Sequence, residues 1–143
     1  MKFSEIFTSK DNIQLDKKTL VILRWMAIIG QYISICIIFF VLNFELPFFY
    51  CSAIIILGII TNFYLQFAVK ENQLSNIKSS SYLLYDLIQL SWLLFFTGGV
   101  TNPFTILLII PAIVSSTFLS LRSTVNLSII TILILVVLTI NHY

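Results

Sequence analysis

Two groups of residues in this chain have types and spacing that can do chemistry. The first is the run Gly98-Gly99-Val100-Thr101-Asn102-Pro103-Phe104. Paired glycines lack Cβ, so they can leave a helix through positive φ and let backbone or a flat ligand approach closely. Asn102 followed by Pro103 is a helix-start signal: the Asn side chain accepts from a backbone N–H, and proline at the first position gives up no needed donor. The N–H groups of Phe104, Thr105 and Ile106 would then stand free at the positive end of a helix dipole, a place suited to an electron-rich oxygen. A quinone has the matching parts: two carbonyl acceptors on a flat ring, and a tail that stays in lipid. Asn102 or the helix start would supply the donor, with Phe104 and one of Phe95 or Phe96 against the ring. The alternative is a ligand-free turn in which Gly-Gly ends one helix and Asn-Pro begins the next.

The second group is Arg24, Gln31, Asp86 and Gln89. An ionisable side chain inside an apolar run is costly and takes a partner within the bundle. Gln89, three residues beyond Asp86, shares its helix face, and Arg24 is expected at similar depth in the first apolar run. The simplest reading is a structural Arg24–Asp86 pair. The functional reading is a polar layer of all four residues whose packing differs between two bundle arrangements. Roughly 18 Å of helix separates Asp86 from Gly98, so Asp86 is not expected to touch a ring held at the turn.

The elements that position both groups are membrane helices. The chain is 59% hydrophobic and 10% charged, with a mean hydropathy of +1.02, whereas soluble domains are about a quarter charged. Crossing roughly 30 Å of hydrocarbon takes about 20 residues, and five runs approach that length: 20–42, 48–69, 82–97, 103–121 and 124–141. The expected fold is an all-α polytopic transmembrane bundle. Residues 1–19 form a cytoplasmic segment, in which Phe3, Ile6 and Phe7 beside Lys2 and Lys10 suit a short surface helix, with disorder as the equal alternative. Residues 20–143 form the membrane domain. The third and fifth runs are short, and Pro111 is expected to kink the fourth, with Ser115, Ser116 and Thr117 bonding back to freed carbonyls.

Lys2, Lys10, Lys17, Lys18 and Arg24 open the chain, Lys70 and Lys78 flank the second loop, and Arg122 follows the fourth run. These regions alternate onto one face, and the positive-inside rule makes that face cytoplasmic and the heptapeptide external. Five crossings then leave Tyr143 outside, which leads us to expect a sixth span beyond it. A net charge of +2 is too small for a nucleic-acid surface. Cys36 and Cys51 read as packing residues, and no His or Cys set supports metal, heme or flavin.

GGVTNPF resembles the GGxxNPF signature of the RegB/PrrB-type redox-sensing sensor histidine kinases. LRWMAIIGQ at 23–31 and YDLIQLSWLLFFTGG at 85–99 are similar too. The resemblance implies a six-span domain of the bacterial plasma membrane in which Gly98, Gly99, Asn102, Pro103 and Phe104 bind ubiquinone. It also implies a homodimer, autophosphorylation of a cytoplasmic histidine, and a cognate response regulator reached through the kinase domain. This chain has no catalytic residues of its own: it lacks that family's histidine box, its redox-active cysteine and its ATP-binding core. A stand-alone quinone-binding or structural membrane protein, and a small transporter subunit, are the other readings.

Overall fold

The computed structural model describes residues 15–143, so the surface helix expected around Phe3, Ile6 and Phe7 lies outside the described residues. A two-residue strand, β1 (Leu15–Asp16), leads in, and Asp16 caps α1 (Lys17–Cys36) by accepting from the Lys18 N–H. α1 runs on through a π-helical turn, Ile37–Val41, and α2 (Phe48–Phe67) starts behind Pro47. β2 (Gln73–Leu74) pairs antiparallel with β1, Leu15 opposite Leu74 and Asp16 opposite Gln73. Ser75 then caps α3 (Asn76–Phe96). Two 3-10 segments, Gly99–Thr101 and Pro103–Ile109, lead to α4 (Ile110–Phe118), and Ser120 caps α5 (Leu121–His142).

This is the all-α bundle expected from the sequence. Three segments are long and apolar enough to cross a membrane on length and composition: Lys17–Val41, Phe48–Phe67 and Leu121–His142. Pro103–Phe118 is apolar but shorter. α3 is absent from that set, and its place in the bundle says why. It packs against α1, α2, α4 and α5, and its buried Ser79, Leu83, Leu87, Leu90 and Leu94 recur at three and four residues. Its polar Ser79 and Gln89 are buried against those neighbours, while Ile88, Trp92 and Phe95 stay exposed on the outer side. On α5, by contrast, Ile129, Ile132, Leu133, Val136, Val137 and Ile140 are all exposed, an uncovered apolar face that suits hydrocarbon as its solvent.

Several boundaries differ from expectation. α3 begins at Asn76 and is a continuous helix of 21 residues. The serines that make its first turns look like a loop are absorbed into it: Ser79 is fully buried, and the Ser81 hydroxyl donates to Ile77 O at 2.8 Å. α5 likewise extends beyond 124–141 at both ends. Pro111 does not interrupt a regular helix. The backbone is 3-10 up to Ile109, and Pro111 falls in the first turn of α4, where a missing N–H costs little. Ser116 and Thr117 bond back to Ile113 O at 2.7 and 3.1 Å and not to a carbonyl freed by Pro111, since Leu107 O already accepts from the Ile110 N–H. Ser115 instead lies 3.1 Å across from Thr124 Oγ1.

Three links lie at one end of the bundle. Lys17 donates from N–H to Asn72 O at 2.9 Å and from Nζ to Val69 O at 2.8 Å. The Ser120 N–H donates to Asn76 Oδ1 at 3.2 Å. The chain entry, the α2–α3 link and the α4–α5 turn therefore share one face, and Lys17, Lys18, Lys70, Lys78 and Arg122 gather there.

Candidate functional site

α1 carries Arg24 inward, and only 2% of it is exposed. Its Nε donates to Asp86 Oδ1 and Oδ2 at 3.0 and 3.1 Å, and its Nη2 stands 3.0 Å from Oδ1. Nη2 also donates to Thr61 Oγ1 on α2 at 2.9 Å, and that hydroxyl donates to Gly58 O at 2.9 Å. The rings of Tyr82 and Tyr85 lie 5.2 and 5.7 Å from the guanidinium carbon, so the cation is wrapped by π faces as well as by its carboxylate. Nη1 alone has no hydrogen-bond partner among the described residues.

Deeper along the bundle, Gln89 Nε2 donates to Gln31 Oε1 at 2.9 Å. The four residues singled out in the sequence thus come together as two pairs, Arg24 with Asp86 and Gln31 with Gln89. The contribution of α2 was not anticipated. Thr61, Gly58 and Asn62, whose Nδ2 donates to Val21 O at 3.4 Å, seat α2 against the layer. The visible signal was two adjacent polar residues, Thr61 and Asn62, inside an apolar run. Tyr82 and Tyr85 were also missed, although their three-residue spacing leads straight to Asp86.

At the other end, both glycines take positive φ, +111° at Gly98 and +61° at Gly99. Asn102 caps as expected, its Oδ1 accepting from the Phe104 N–H at 2.9 Å, with Pro103 in the first turn. The donors expected to be free are largely engaged. The Thr105 N–H donates to Asn102 O at 3.0 Å, and Asn102 Nδ2 donates to Thr97 Oγ1 and O at 2.7 and 3.3 Å. Tight 3-10 geometry closes bonds within the first turn that an α-helix would leave open. Phe95 sits beside Trp92 and Phe96 stacks on Tyr50; neither lines the cleft that Phe104 lines.

That cleft, about 20 Å³, runs inward from Asn102, Phe104 and Thr97 to Gln31. Beyond it a cavity of about 220 Å³ opens between α1, α3 and the Pro103–Phe118 segment, walled by Arg24, Gln31 and Asp86 among apolar side chains. Cleft and cavity share Gln31, Leu90 and Leu107. The turn and the ion pair, remote along α3, thus border two adjacent voids that have three wall residues in common.

A bundle with lipid-facing outer helices, a polar layer at its centre and a closed glycine-proline turn at one end is an integral membrane domain. Over 111 residues the chain is 40% identical to the sensor histidine kinase RegB of Cereibacter sphaeroides, a stretch that takes in 77% of this chain and 24% of that protein. The likeness is to a RegB-type sensor-kinase membrane domain and to that domain alone, since the chain spans about a quarter of the length of the curated relative it matches. No family model matches the chain, and no solved structure matches it.

Proposed function

We propose that this chain is the redox-sensing input domain of a two-component sensor histidine kinase, reversibly binding ubiquinone in the tract that begins at GGVTNPF. Gly98, Gly99, Asn102, Pro103 and Phe104 shape the outer end of that tract. The observation that carries the reading is that the turn resembling the family's quinone signature heads a cleft leading to the buried polar layer. Occupancy or redox state of the ring then biases the packing of Arg24, Gln31, Asp86 and Gln89, and the helices pass that bias to a cytoplasmic kinase. Coupling of this kind requires the ligand to bind two bundle arrangements with different affinity.

The cation-rich end is the cytoplasmic one on this reading, supported by Lys17, Lys18, Lys70, Lys78 and Arg122 lying together. The domain works as a homodimer and reaches its response regulator through the kinase of the parent protein. The test is titration of a short-tail ubiquinone into the purified chain in lipid nanodiscs, followed by fluorescence of Trp25 and Trp92 against empty nanodiscs. Saturable quenching beyond lipid partitioning is expected; quenching no greater than partitioning would sink the proposal.

A further inference from the structure

We infer that the furrow between α3 and α5 is a site for one anionic phospholipid, its phosphate held by Ser123, Asn126 and Arg122 and one acyl chain laid along Ile130, Leu133 and Val137. The inference is independent of the quinone reading and uses a different face of α3. That helix turns Leu83, Asp86 and Leu90 to the inner cavity, and Ser81, Leu84 and Trp92 to the furrow.

Two hollows make up the furrow. One, of about 300 Å³, has Ser81, Ser123 and Asn126 among its walls. The next, of about 340 Å³, is walled by Trp92, Leu133, Ile134 and Val137. Ser91 and Asn141 border it too, but they donate to Ile88 O and Val137 O of their own helices. The hollows have Ile130 in common, so polarity falls off along one channel. Hydroxyls and an amide lie at the end near the Ser120–Asn76 link, with hydrocarbon beyond. A lipid has the same gradient.

The polar end has unspent donors. Ser120 Oγ donates to Ser123 Oγ at 3.1 Å, which leaves the Ser123 hydroxyl proton uncommitted. The Asn126 amide is exposed and has no hydrogen-bond partner among the described residues. Such donors call for an acceptor, and a phosphate oxygen is a strong one. Charge selects the headgroup. Lys78 is engaged by Glu71 at 2.6 Å, whereas Arg122, next to Ser123, has no acidic partner among the described residues. A zwitterionic headgroup brings its own cation to this cation-rich end, and an anionic one does not. Length agrees as well. Half of a roughly 30 Å hydrocarbon layer is about 15 Å, or about ten residues of helix, which takes an acyl chain from the level of Asn126 to that of Val137.

Trp92 borders the deeper hollow, so lipid brominated on its acyl chains reports occupancy by quenching it. The purified chain carries Trp25→Phe, which leaves Trp92 as its only tryptophan, and is titrated in detergent micelles. We expect phosphatidylglycerol to quench saturably at a lower mole fraction than phosphatidylcholine brominated in the same way. Asn126→Leu and Arg122→Gln, both at exposed positions, should each raise the half-saturating mole fraction about tenfold, and Lys70→Gln should leave it near the parent value. Glycerol phosphate has the headgroup chemistry without the chains and should not displace the lipid; displacement would assign the donors to a free phosphate and overturn the lipid site. Equal quenching by the two lipids, no effect of either furrow variant, or a loss in Lys70→Gln as large as in Arg122→Gln would reduce the attraction to a bulk one and overturn it as well. So would the absence of quenching by either lipid, which would mean that protein, such as a second copy of the chain, fills the furrow.

Discussion

Gly58 on α2 lies so close to Gln89 on α3 that a Cβ at position 58 would stand 2.6 Å from both the amide nitrogen and the amide oxygen of Gln89. The glycine is thus the floor on which the Gln31–Gln89 bond rests. Gly58→Ala forces the Gln89 carboxamide aside. That group is a side-chain end and can move, so the expected cost is the displaced hydrogen bond, about 1 kcal/mol. Thermal unfolding in detergent, read by circular dichroism, measures it; an unchanged midpoint would show that the layer repacks freely.

Removing one member of the Arg24–Asp86 pair leaves the other charge buried and alone. Asp86→Ala is expected to destabilise by about 3 kcal/mol or more, whereas the double replacement Arg24→Met with Asp86→Leu recovers most of the loss. The pair Lys78–Glu71, at 2.6 Å but with both side chains about half exposed, provides the contrast: Lys78→Ala is expected to cost about 1 kcal/mol or less. Unfolding in sodium dodecyl sulfate reads all three. A double variant no more stable than Asp86→Ala would contradict the argument.

Positive φ at Gly98 and Gly99 makes side-chain identity there a backbone question. A residue with Cβ costs roughly 1–2 kcal/mol in that region, and Asn is the residue that visits it most readily. At +61°, Gly99→Asn should therefore be milder than Gly99→Val. Equal midpoints for the two would mean that the turn changes conformation on substitution.

Thr97 holds the Asn102 amide through Oγ1, so Thr97→Val removes a partner without touching the heptapeptide. A loss of about 1 kcal/mol is expected, with the N-cap bond to Phe104 intact. Thr97→Ser retains the hydroxyl and should stay near the parent value. A Thr97→Ser variant as unstable as Thr97→Val would assign the effect to packing rather than to the hydrogen bond.

The sequence made the long apolar runs and the polar break between them legible because lipid imposes composition directly. It also exposed Arg24, Gln31, Asp86 and Gln89, since polar residues inside such runs are few and each needs an account. What it hid was local and cooperative. Asn76 to Ser81 reads as a loop by composition, yet Ser75 caps it into α3 and central packing buries Ser79. The pairing of Leu15–Asp16 with Gln73–Leu74 is too short to leave a pattern. The 3-10 course of Pro103–Ile109 is invisible because 3.0 and 3.6 residues per turn differ little over seven apolar positions. That course also closed the donors which the bare Asn-Pro signal left open.

The same 3-10 course changes how far the chain reaches. Seven residues rising about 2.0 Å each, followed by nine rising about 1.5 Å, extend roughly 27 Å, some 3 Å more than an all-α segment of the same composition. A run that looks too short by residue count thereby comes close to the thickness of the hydrocarbon layer. Both halves border the interior voids, Phe104 and Leu107 from the stretched one and Ile110, Pro111 and Val114 from the α-helical one, and the added reach comes from the half that also carries the turn.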